Sequence, residues 1–252
     1  MKDDIATFPA VETIISPPGY IRHLAKHDYV YMSAISVFKS IGTFADSEIQ
    51  IFCDSWNNLV TDKFMSDGSK YRKRRHAVFS ASRGGGAIRQ EAHKPHFQSL
   101  RLNKLNGGKD RNFEPIEEHI ADSTVLHSIL GFGSHMFGAL SPLFDWEIEA
   151  HQFRILANET DGKPTPEGVH QDGVDFLLVL LIERNNIKFG QTRIVDLDHK
   201  DIAEVTLRNP FEILITNDLR AAFEVQPIRC ENTSEVGYRD VLAITFNRRV
   251  HV

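Results

Sequence analysis

The feature that most constrains the fold is a series of short apolar segments after Pro142. Turn-forming residues separate each segment from the next, a pattern typical of β-sandwiches and jelly rolls. Strands of this kind bury one face against a second layer. The predicted strands are Trp146–Ala157, Val174–Ile182, Gln191–Val195, Ile202–Leu207, Phe211–Thr216, Phe223–Arg229 and Tyr238–Asn247.

The half of the chain before Pro142 is predicted to contain helices. Pro18 opens one helix, and Asp46 caps a second whose apolar residues recur every three or four positions. The clearest helix begins near Asp122 or Ser123 and stops before Pro142. The sequence contains no repeat, linker or low-complexity segment. We therefore expect one α+β domain over residues 1–252, with a helical and mixed part to about 142 and a β core from about 143.

Composition limits the partners that this chain binds. The chain has 252 residues and a net charge of −5, which gives no general affinity for nucleic acid or an anionic membrane. Cys53 and Cys230 are too few for a disulfide framework. Met1–Asp4 lead into no apolar segment, and no later run is long enough to span a bilayer. We expect a cytoplasmic protein with a small-molecule substrate; the oligomeric state stays open.

A basic run from Tyr71 to His76 is the strongest local charge feature. With Arg83 and the following Gly84–Gly86 it is compatible with a phosphate or nucleic-acid contact. We expect instead a solvated strand edge, because charge on an edge strand discourages pairing with other chains. The glycines lack the lysine of a P-loop and are expected to form a turn.

Two other histidines, His93 and His96, are three residues apart. Both could reach one metal ion, but Lys94 and Pro95 separate them and we expect no acidic partner close by. We therefore expect no metal role for this pair.

His170-Gln171-Asp172 is the most informative motif. On an extended chain, residues two apart point to the same side, so this segment offers an imidazole and a carboxylate to one metal ion. The pattern alone is weak, since it recurs at His199-Lys200-Asp201. His170 precedes a long apolar strand, whereas His199 lies in a polar stretch and is expected to be exposed.

Several segments between about residues 70 and 248 match one family. They are Arg74-Arg75-His76-Ala77-Val78-Phe79, His96-Phe97-Gln98-Ser99, Asn106-Gly107-Gly108, Phe113-Glu114-Pro115, His151-Gln152-Phe153-Arg154, Pro164-Thr165-Pro166-Glu167-Gly168, His170-Gln171-Asp172-Gly173-Val174-Asp175 and Tyr238-Arg239-Asp240-Val241-Leu242. In these segments the chain resembles the bacterial Fe(II)/2-oxoglutarate dioxygenases that include free L-isoleucine hydroxylases.

The resemblance implies a double-stranded β-helix, or jelly roll, that uses Fe(II), 2-oxoglutarate and O₂ to hydroxylate a free amino acid. It implies that His170 and Asp172 are metal ligands. Arg239 matches the arginine that holds the far carboxylate of 2-oxoglutarate, with an exposed strand-end arginine as the alternative. Arg154 is a candidate for the substrate carboxylate, although a structural ion pair explains it equally well.

The sequence departs from the family pattern at the third metal ligand. Asp218–Ile228 matches the family segment that carries the second histidine, and Phe223 stands in the place of that histidine. A phenyl ring has no lone pair, so His170 and Asp172 remain as the protein ligands. The alternatives are an active enzyme with a reduced ligand set, a pseudoenzyme that binds a small carboxylate, and a substitution introduced into an active enzyme. Glu224 is a possible replacement, but on a strand it faces away from Phe223.

Overall fold

Helices and strands both contribute to the chain, for which a computed structural model describes residues 17–65, 67–100, 105, 107–157 and 161–249. Met1–Asp4 and Asn106, which entered the predictions above, lie outside the described residues. The helices are α1 (Pro17–His27), α2 (Ala34–Ile41), α3 (Asp46–Asp54), α4 (Glu118–Ala121) and α5 (Thr124–Leu140), with a 3₁₀ helix at Ser55–Asn58.

The strands within the described residues are β1 (Tyr29–Met32), β2 (Val60–Thr61), β3 (Arg72–Ala81), β4 (Ile88–Gln90), β5 (Asp145–Ala157), β6 (Phe176–Asn185), β7 (Ile187–Phe189), β8 (Thr192–Asp196), β9 (Asp201–Val205), β10 (Ile213–Asn217), β11 (Ala221–Val225), β12 (Ile228–Cys230) and β13 (Gly237–Arg249). Eight of them form one sheet in the order β1-β10-β6-β13-β5-β3-β2, with β4 beside β3. β13 pairs antiparallel with β5 along its whole length and with β6 on its other side.

One face of the large sheet packs against the helices. α5 is the central helix of this layer, and Ser123 caps it by accepting a hydrogen bond from the Leu126 N–H. The Phe137 ring stacks on that of Phe176 at 4.4 Å between centroids. The main apolar core therefore lies between the helices and the sheet.

The other face of the large sheet packs against two small sheets, β11-β8-β9 and β12-β7. Apolar side chains from both layers meet there, including Leu181 and Val241 from the large sheet and Ile194 from β8. Two facing antiparallel sheets are the arrangement of a jelly roll. The predicted α+β fold with a double-stranded β-helix core is confirmed.

Two predicted elements differ from the structure. The expected strand Phe223–Arg229 is split into β11 and β12, because Pro227 cannot donate a ladder hydrogen bond. The basic run is not a solvated edge: β3 lies between β5 on one side and β2 and β4 on the other. Arg72 and Arg74 on β3 are buried, and Arg72 pairs with the buried carboxylate of Asp62 at 2.7 Å.

The helices show no candidate for a membrane span. Within the described ranges, none is both long enough and apolar enough to cross a bilayer. The glycine segment forms a turn between β3 and β4, as predicted, and Gly84 and Gly85 adopt positive φ angles of 74° and 79° there.

Candidate active site

A cavity of about 370 Å³ lies between the large sheet and the small sheets. Because side chains alternate between the two faces of a strand, every second residue of the central strands faces it. These residues are Glu149, His151, Phe153 and Ile155 on β5 and Arg239, Val241, Ala243 and Thr245 on β13. The cavity is also lined by Glu167, His170 and Asp172, which lie in the segment before β6, and by Phe223 on β11.

The segment that carries His170 and Asp172 is held by backbone hydrogen bonds. His170 and Phe223 exchange both of their N–H to O=C bonds, each at 3.0 Å. The carboxylate of Asp218 accepts hydrogen bonds from the backbone N–H groups of Asp172, Gly173 and Val174. Both side chains are therefore presented to the cavity from a fixed backbone.

The ring of His170 is oriented by a glycine carbonyl. Its Nδ1 lies 2.9 Å from the oxygen of Gly168, a residue whose φ of +76° suits glycine. Nδ1 therefore carries the proton, and Nε2 faces two carboxylates. Asp172 Oδ1 and Glu167 Oε1 each lie 3.6 Å from Nε2. Burial lowers the pKa of His170, but Asp172 and Glu167 outweigh burial and raise the pKa to about 9. Glu167, His170 and Asp172 are called the His170 cluster below.

Asp172 is also tied to the opposite wall of the cavity. Gln98 Nε2 donates to Asp172 Oδ1 at 3.3 Å, and Arg111 Nη2 donates to Gln98 Oε1 at 2.7 Å. This chain of hydrogen bonds ends on Oδ1, the same carboxylate oxygen that faces His170 Nε2, and so orients the carboxylate.

The donor set of the His170 cluster suits a metal ion in part. An imidazole with Nδ1 bound to a carbonyl leaves Nε2 as a ligand, and Asp172 supplies a hard oxygen beside it. Phe223 supplies no ligand atom. Its ring centroid is 4.8 Å from that of His170, and its side chain packs with Val174 and Leu177. Glu224 does not replace it, because Glu224 pairs with Arg193 at 3.0 Å and does not line the cavity.

Arg239 lies in the same cavity and forms no ion pair with any residue that the structure describes. It is buried, its Nε has no hydrogen-bond partner, and the charged group that influences it is another cation, Arg184. Burial and Arg184 lower the pKa of Arg239 to about 10. A buried guanidinium of this kind is suited to a carboxylate ligand.

Arg154 is not placed with the other predicted site residues. Its Nε and Nη2 donate to the carboxylate of Asp240 at 2.8 and 2.6 Å, and it lies over the Tyr238 ring at 4.3 Å. It does not line the cavity, because it lies on the opposite face of β5 from Phe153 and Ile155. The substrate contact expected for Arg154 is corrected to the structural ion pair that was its alternative.

A second group of histidines surrounds a carboxylate in the same cavity. The ligand atoms of His76, His96, Glu149 and His151 all lie within 4.8 Å of one another, which is close enough to hold a cation. Glu149 Oε2 lies 3.1 Å from His76 Nε2, 2.5 Å from His96 Nδ1 and 3.4 Å from His151 Nε2. These four residues are called the Glu149 cluster below.

Arg74 determines how the Glu149 cluster is protonated. Its Nη2 donates to His151 Nδ1 at 2.6 Å, so a neutral His151 carries its proton on Nε2 and donates to Glu149. Burial raises the pKa of Glu149, but the hydrogen bonds from His151, His76 and His96 outweigh it and hold the pKa far below its usual range. The carboxylate is thus satisfied without a metal ion, and the Arg74 guanidinium disfavours a second cation nearby.

Within the described ranges, the histidines outside the two clusters do not line the cavity. His93 is at the surface beside Asn112, and His199 is exposed in the turn after β8, as predicted. The expectation that His96 has no acidic neighbour is wrong, since Glu149 contacts it from β5. Arg74, Gln98, His151 and Glu167 were not recognised as site residues from the sequence. All four lie in segments that carried the family resemblance, which was the available signal.

Comparisons with known proteins agree with this geometry. A model of the family described as 2OG-Fe dioxygenase matches residues 53–245. An L-isoleucine-4-hydroxylase of Bacillus thuringiensis is 25% identical over 157 residues, which are 60% of this chain and 65% of that protein. The match therefore spans less than two thirds of that relative.

Solved structures share the fold. A bsmA homologue from Methylobium petroleophilum PM1 superposes with a TM-score of 0.87 and 28% identity, over 96% of this chain and 97% of the other. The structure of IDO from Bacillus thuringiensis gives a TM-score of 0.77 at 18% identity, over 93% of this chain and 100% of the other. At that identity the second match concerns the fold alone.

Proposed function

Since the chain belongs to the 2OG-Fe dioxygenase family and is thus an oxygenase that uses Fe(II), 2-oxoglutarate and O₂, we propose that it hydroxylates a free amino acid or a similar small carboxylate. When iron and 2-oxoglutarate are bound, O₂ converts 2-oxoglutarate to succinate and carbon dioxide, and one oxygen atom enters a C–H bond of the substrate. The relative named L-isoleucine-4-hydroxylase supports a free amino acid as the substrate class.

In this proposal His170 and Asp172 hold the iron, and Arg239 holds the distal carboxylate of 2-oxoglutarate. The observation that carries it is the buried, unpaired guanidinium of Arg239 in the cavity that His170 and Asp172 also line. An arginine buried without an anion is unfavourable unless a ligand supplies one. A bidentate carboxylate is the ligand that matches its geometry.

A second buried arginine supports a carboxylate on the substrate itself. Arg111 is only 2% exposed, its Nε has no hydrogen-bond partner, and it forms no ion pair within the described residues. Its neighbours Arg72 and Arg74 share one carboxylate, that of Asp62, at 2.7 and 3.8 Å. This end of the cavity therefore has more guanidinium groups than its own acids neutralise, which favours an anionic ligand.

The remaining walls suit an aliphatic side chain. Phe153, Val179, Leu207 and Leu214 line the cavity with apolar surface. A substrate with one carboxylate and a branched or linear hydrocarbon chain would bury both parts, since ligand cavities combine apolar walls with a few placed polar groups.

The test is turnover with a panel of free L-amino acids in the presence of Fe(II), 2-oxoglutarate and O₂. We expect succinate formation that depends on an aliphatic amino acid, and a product that has gained one oxygen atom. Arg111→Met should raise the KM for the amino acid by about 10-fold or more, the scale of a lost charged hydrogen bond. It should raise the KM for 2-oxoglutarate less, because Arg111 reaches Asp172 only through Gln98. Arg229→Met is the control, because Arg229 pairs with Asp161 outside the cavity.

The competing function is a protein that binds a small carboxylate without turnover, which Phe223 favours because it removes a family ligand. Binding of 2-oxoglutarate without any succinate formation, in protein that has been loaded with Fe(II), would support that function and contradict ours. Equal turnover of an amino acid and of the amine that lacks its carboxylate would contradict the substrate class alone.

A further inference from the structure

Three atoms converge in the His170 cluster on one position, which a proton on Nε2 fills in the metal-free chain and a metal ion fills once His170 gives up that proton. His170 Nδ1 is engaged by the Gly168 carbonyl, so a neutral ring presents the Nε2 lone pair. Asp172 Oδ1 and Glu167 Oε1 both lie 3.6 Å from Nε2, and ionised carboxylates only accept. An imidazole lone pair between two carboxylate oxygens is stabilised by a cation at their centre.

Glu167 is the member of the cluster that no other contact explains. Its side chain is only 14% exposed, and His170 is its ion-pair partner among the described residues. Its second oxygen, Oε2, is buried without any hydrogen bond. A buried carboxylate oxygen without a partner is unfavourable unless a ligand occupies the space beside it.

The position of Glu167 in the chain brings it to the metal side of His170. The two residues are three apart and flank Gly168, whose φ of +76° turns the backbone between them. On β11, by contrast, Phe223 faces the cavity and offers no lone pair, and Glu224 faces Arg193. The segment that carries His170 and Asp172 thus also carries Glu167, which can supply the metal ligand that β11 lacks.

We propose that Glu167 is the third protein ligand of the iron and replaces the histidine whose place Phe223 takes. The inference rests on the proposed function only through the assignment of His170 and Asp172 as ligands. The His170 cluster is not as closely gathered as the Glu149 cluster, whose ligand atoms lie within 4.8 Å of one another. Metal binding therefore includes a rotation of the Glu167 side chain toward the ion, which its unbonded Oε2 does not resist.

The experiment measures Co(II) binding to the metal-free full chain by calorimetry and by visible absorption, since the colour of Co(II) depends on its ligands. Three variants change a carboxylate to its amide: Glu167→Gln, Asp172→Asn and Glu224→Gln. We expect the first two to weaken Co(II) binding by about 10- to 100-fold and to change the absorption bands. Glu224→Gln is the matched control and should bind as the wild-type chain does.

The outcomes separate this inference from the proposed function. Normal Co(II) affinity in Glu167→Gln together with loss in Asp172→Asn would overturn the ligand role of Glu167 and leave the proposed site intact. Normal affinity in both variants would overturn the proposed site as well.

A rescue distinguishes a ligand from a residue that only shapes the loop. Adding Phe223→His to Glu167→Gln should restore Co(II) affinity, because an imidazole then supplies the third donor from β11. If the double variant and Glu167→Gln unfold at the same temperature and both bind Co(II) weakly, the result would contradict a ligand role for Glu167. In the otherwise unchanged chain, Phe223→His should strengthen Co(II) binding and alter its absorption.

Discussion

The His170 cluster lines the same cavity as three members of the Glu149 cluster, His96, Glu149 and His151. Both clusters consist of histidines and acidic residues, yet their hydrogen bonds differ. In the Glu149 cluster three imidazoles surround one carboxylate, and Arg74 donates to His151 from behind. All three rings face the same carboxylate oxygen, Oε2 of Glu149. In the His170 cluster two carboxylates face one imidazole, and its raised pKa keeps a proton on Nε2 between them in the metal-free chain.

This difference shows that proximity of His and Glu side chains does not identify a metal site. We propose that the balance of charge does, because a cation is favoured where carboxylates outnumber imidazoles and disfavoured where imidazoles and a guanidinium surround a single carboxylate. By that criterion we propose that the more open cluster is the metal site and that the more closely gathered one is a hydrogen-bonded structural unit. The following predictions test this contrast, from the largest expected effect to the smallest.

Removing one imidazole from each cluster should separate the two. His170→Ala should weaken Fe(II) or Co(II) binding by about 100-fold or more, because it deletes a ligand. His96→Ala, which deletes an imidazole from the Glu149 cluster, should change metal affinity by less than about 3-fold by the same reasoning. Equilibrium metal titration of both variants measures the effect, with thermal unfolding as the check on folding. The opposite ranking would assign the metal to the Glu149 cluster.

Two arginines on adjacent strands should show opposite phenotypes. Arg239→Met should weaken 2-oxoglutarate binding by about 10- to 100-fold, the scale of lost charged hydrogen bonds. Arg154→Met should leave 2-oxoglutarate binding unchanged and lower the free energy of unfolding by about 3 kcal/mol, since Asp240 is then buried without its partner. Binding calorimetry and urea unfolding decide this. Weakened 2-oxoglutarate binding in a folded Arg154→Met variant would return Arg154 to the site.

The two clusters should respond to pH with opposite signs in the metal-free chain. The raised pKa of His170, about 9, stabilises the fold below the ordinary histidine pKa and loses that contribution as the pH rises through about 9. Burial lowers the pKa of His76 and of His151, so the unfolded chain takes up protons that the fold does not as the pH falls below about 6.5. The metal-free chain therefore loses stability through His170 at alkaline pH, and through His76 and His151 at acidic pH.

Urea unfolding of the metal-free chain at pH 5.5, 7 and 9.5 measures both effects. Between pH 7 and 9.5 we expect the free energy of unfolding to fall by about 2 kcal/mol more in the wild-type chain than in His170→Asn. Between pH 7 and 5.5 we expect His76→Asn to lose about 1 kcal/mol less than the wild-type chain. An alkaline loss that persists in His170→Asn would show that His170 is not held between two carboxylates.

The sequence predicted most elements of the fold because local patterns determine them. The apolar spacing of α5 and its Ser123 cap, and the alternation of apolar residues after Pro142, are visible in any short window. The buried β3 was misread for the same reason. A short sequence window around Arg72 and Arg74 shows a run of basic residues and no partner for them. The carboxylate of Asp62, which neutralises both arginines, comes from outside the strand.

By itself the sequence predicted the fold class, which the structure confirms, and it proposed His170, Asp172, Arg239 and Phe223 as the residues of interest, because each lies in a segment that resembles the family. Tertiary structure decided which faces meet. The register of β13 and β5 pairs Arg239 with Ile155 on the cavity face and Asp240 with Arg154 on the other. Alternation fixes the faces of a single strand, but the pairing between strands depends on contacts far apart in the chain. For that reason the Glu149 cluster, which joins β3 and β5 with His96, was hidden from any local pattern.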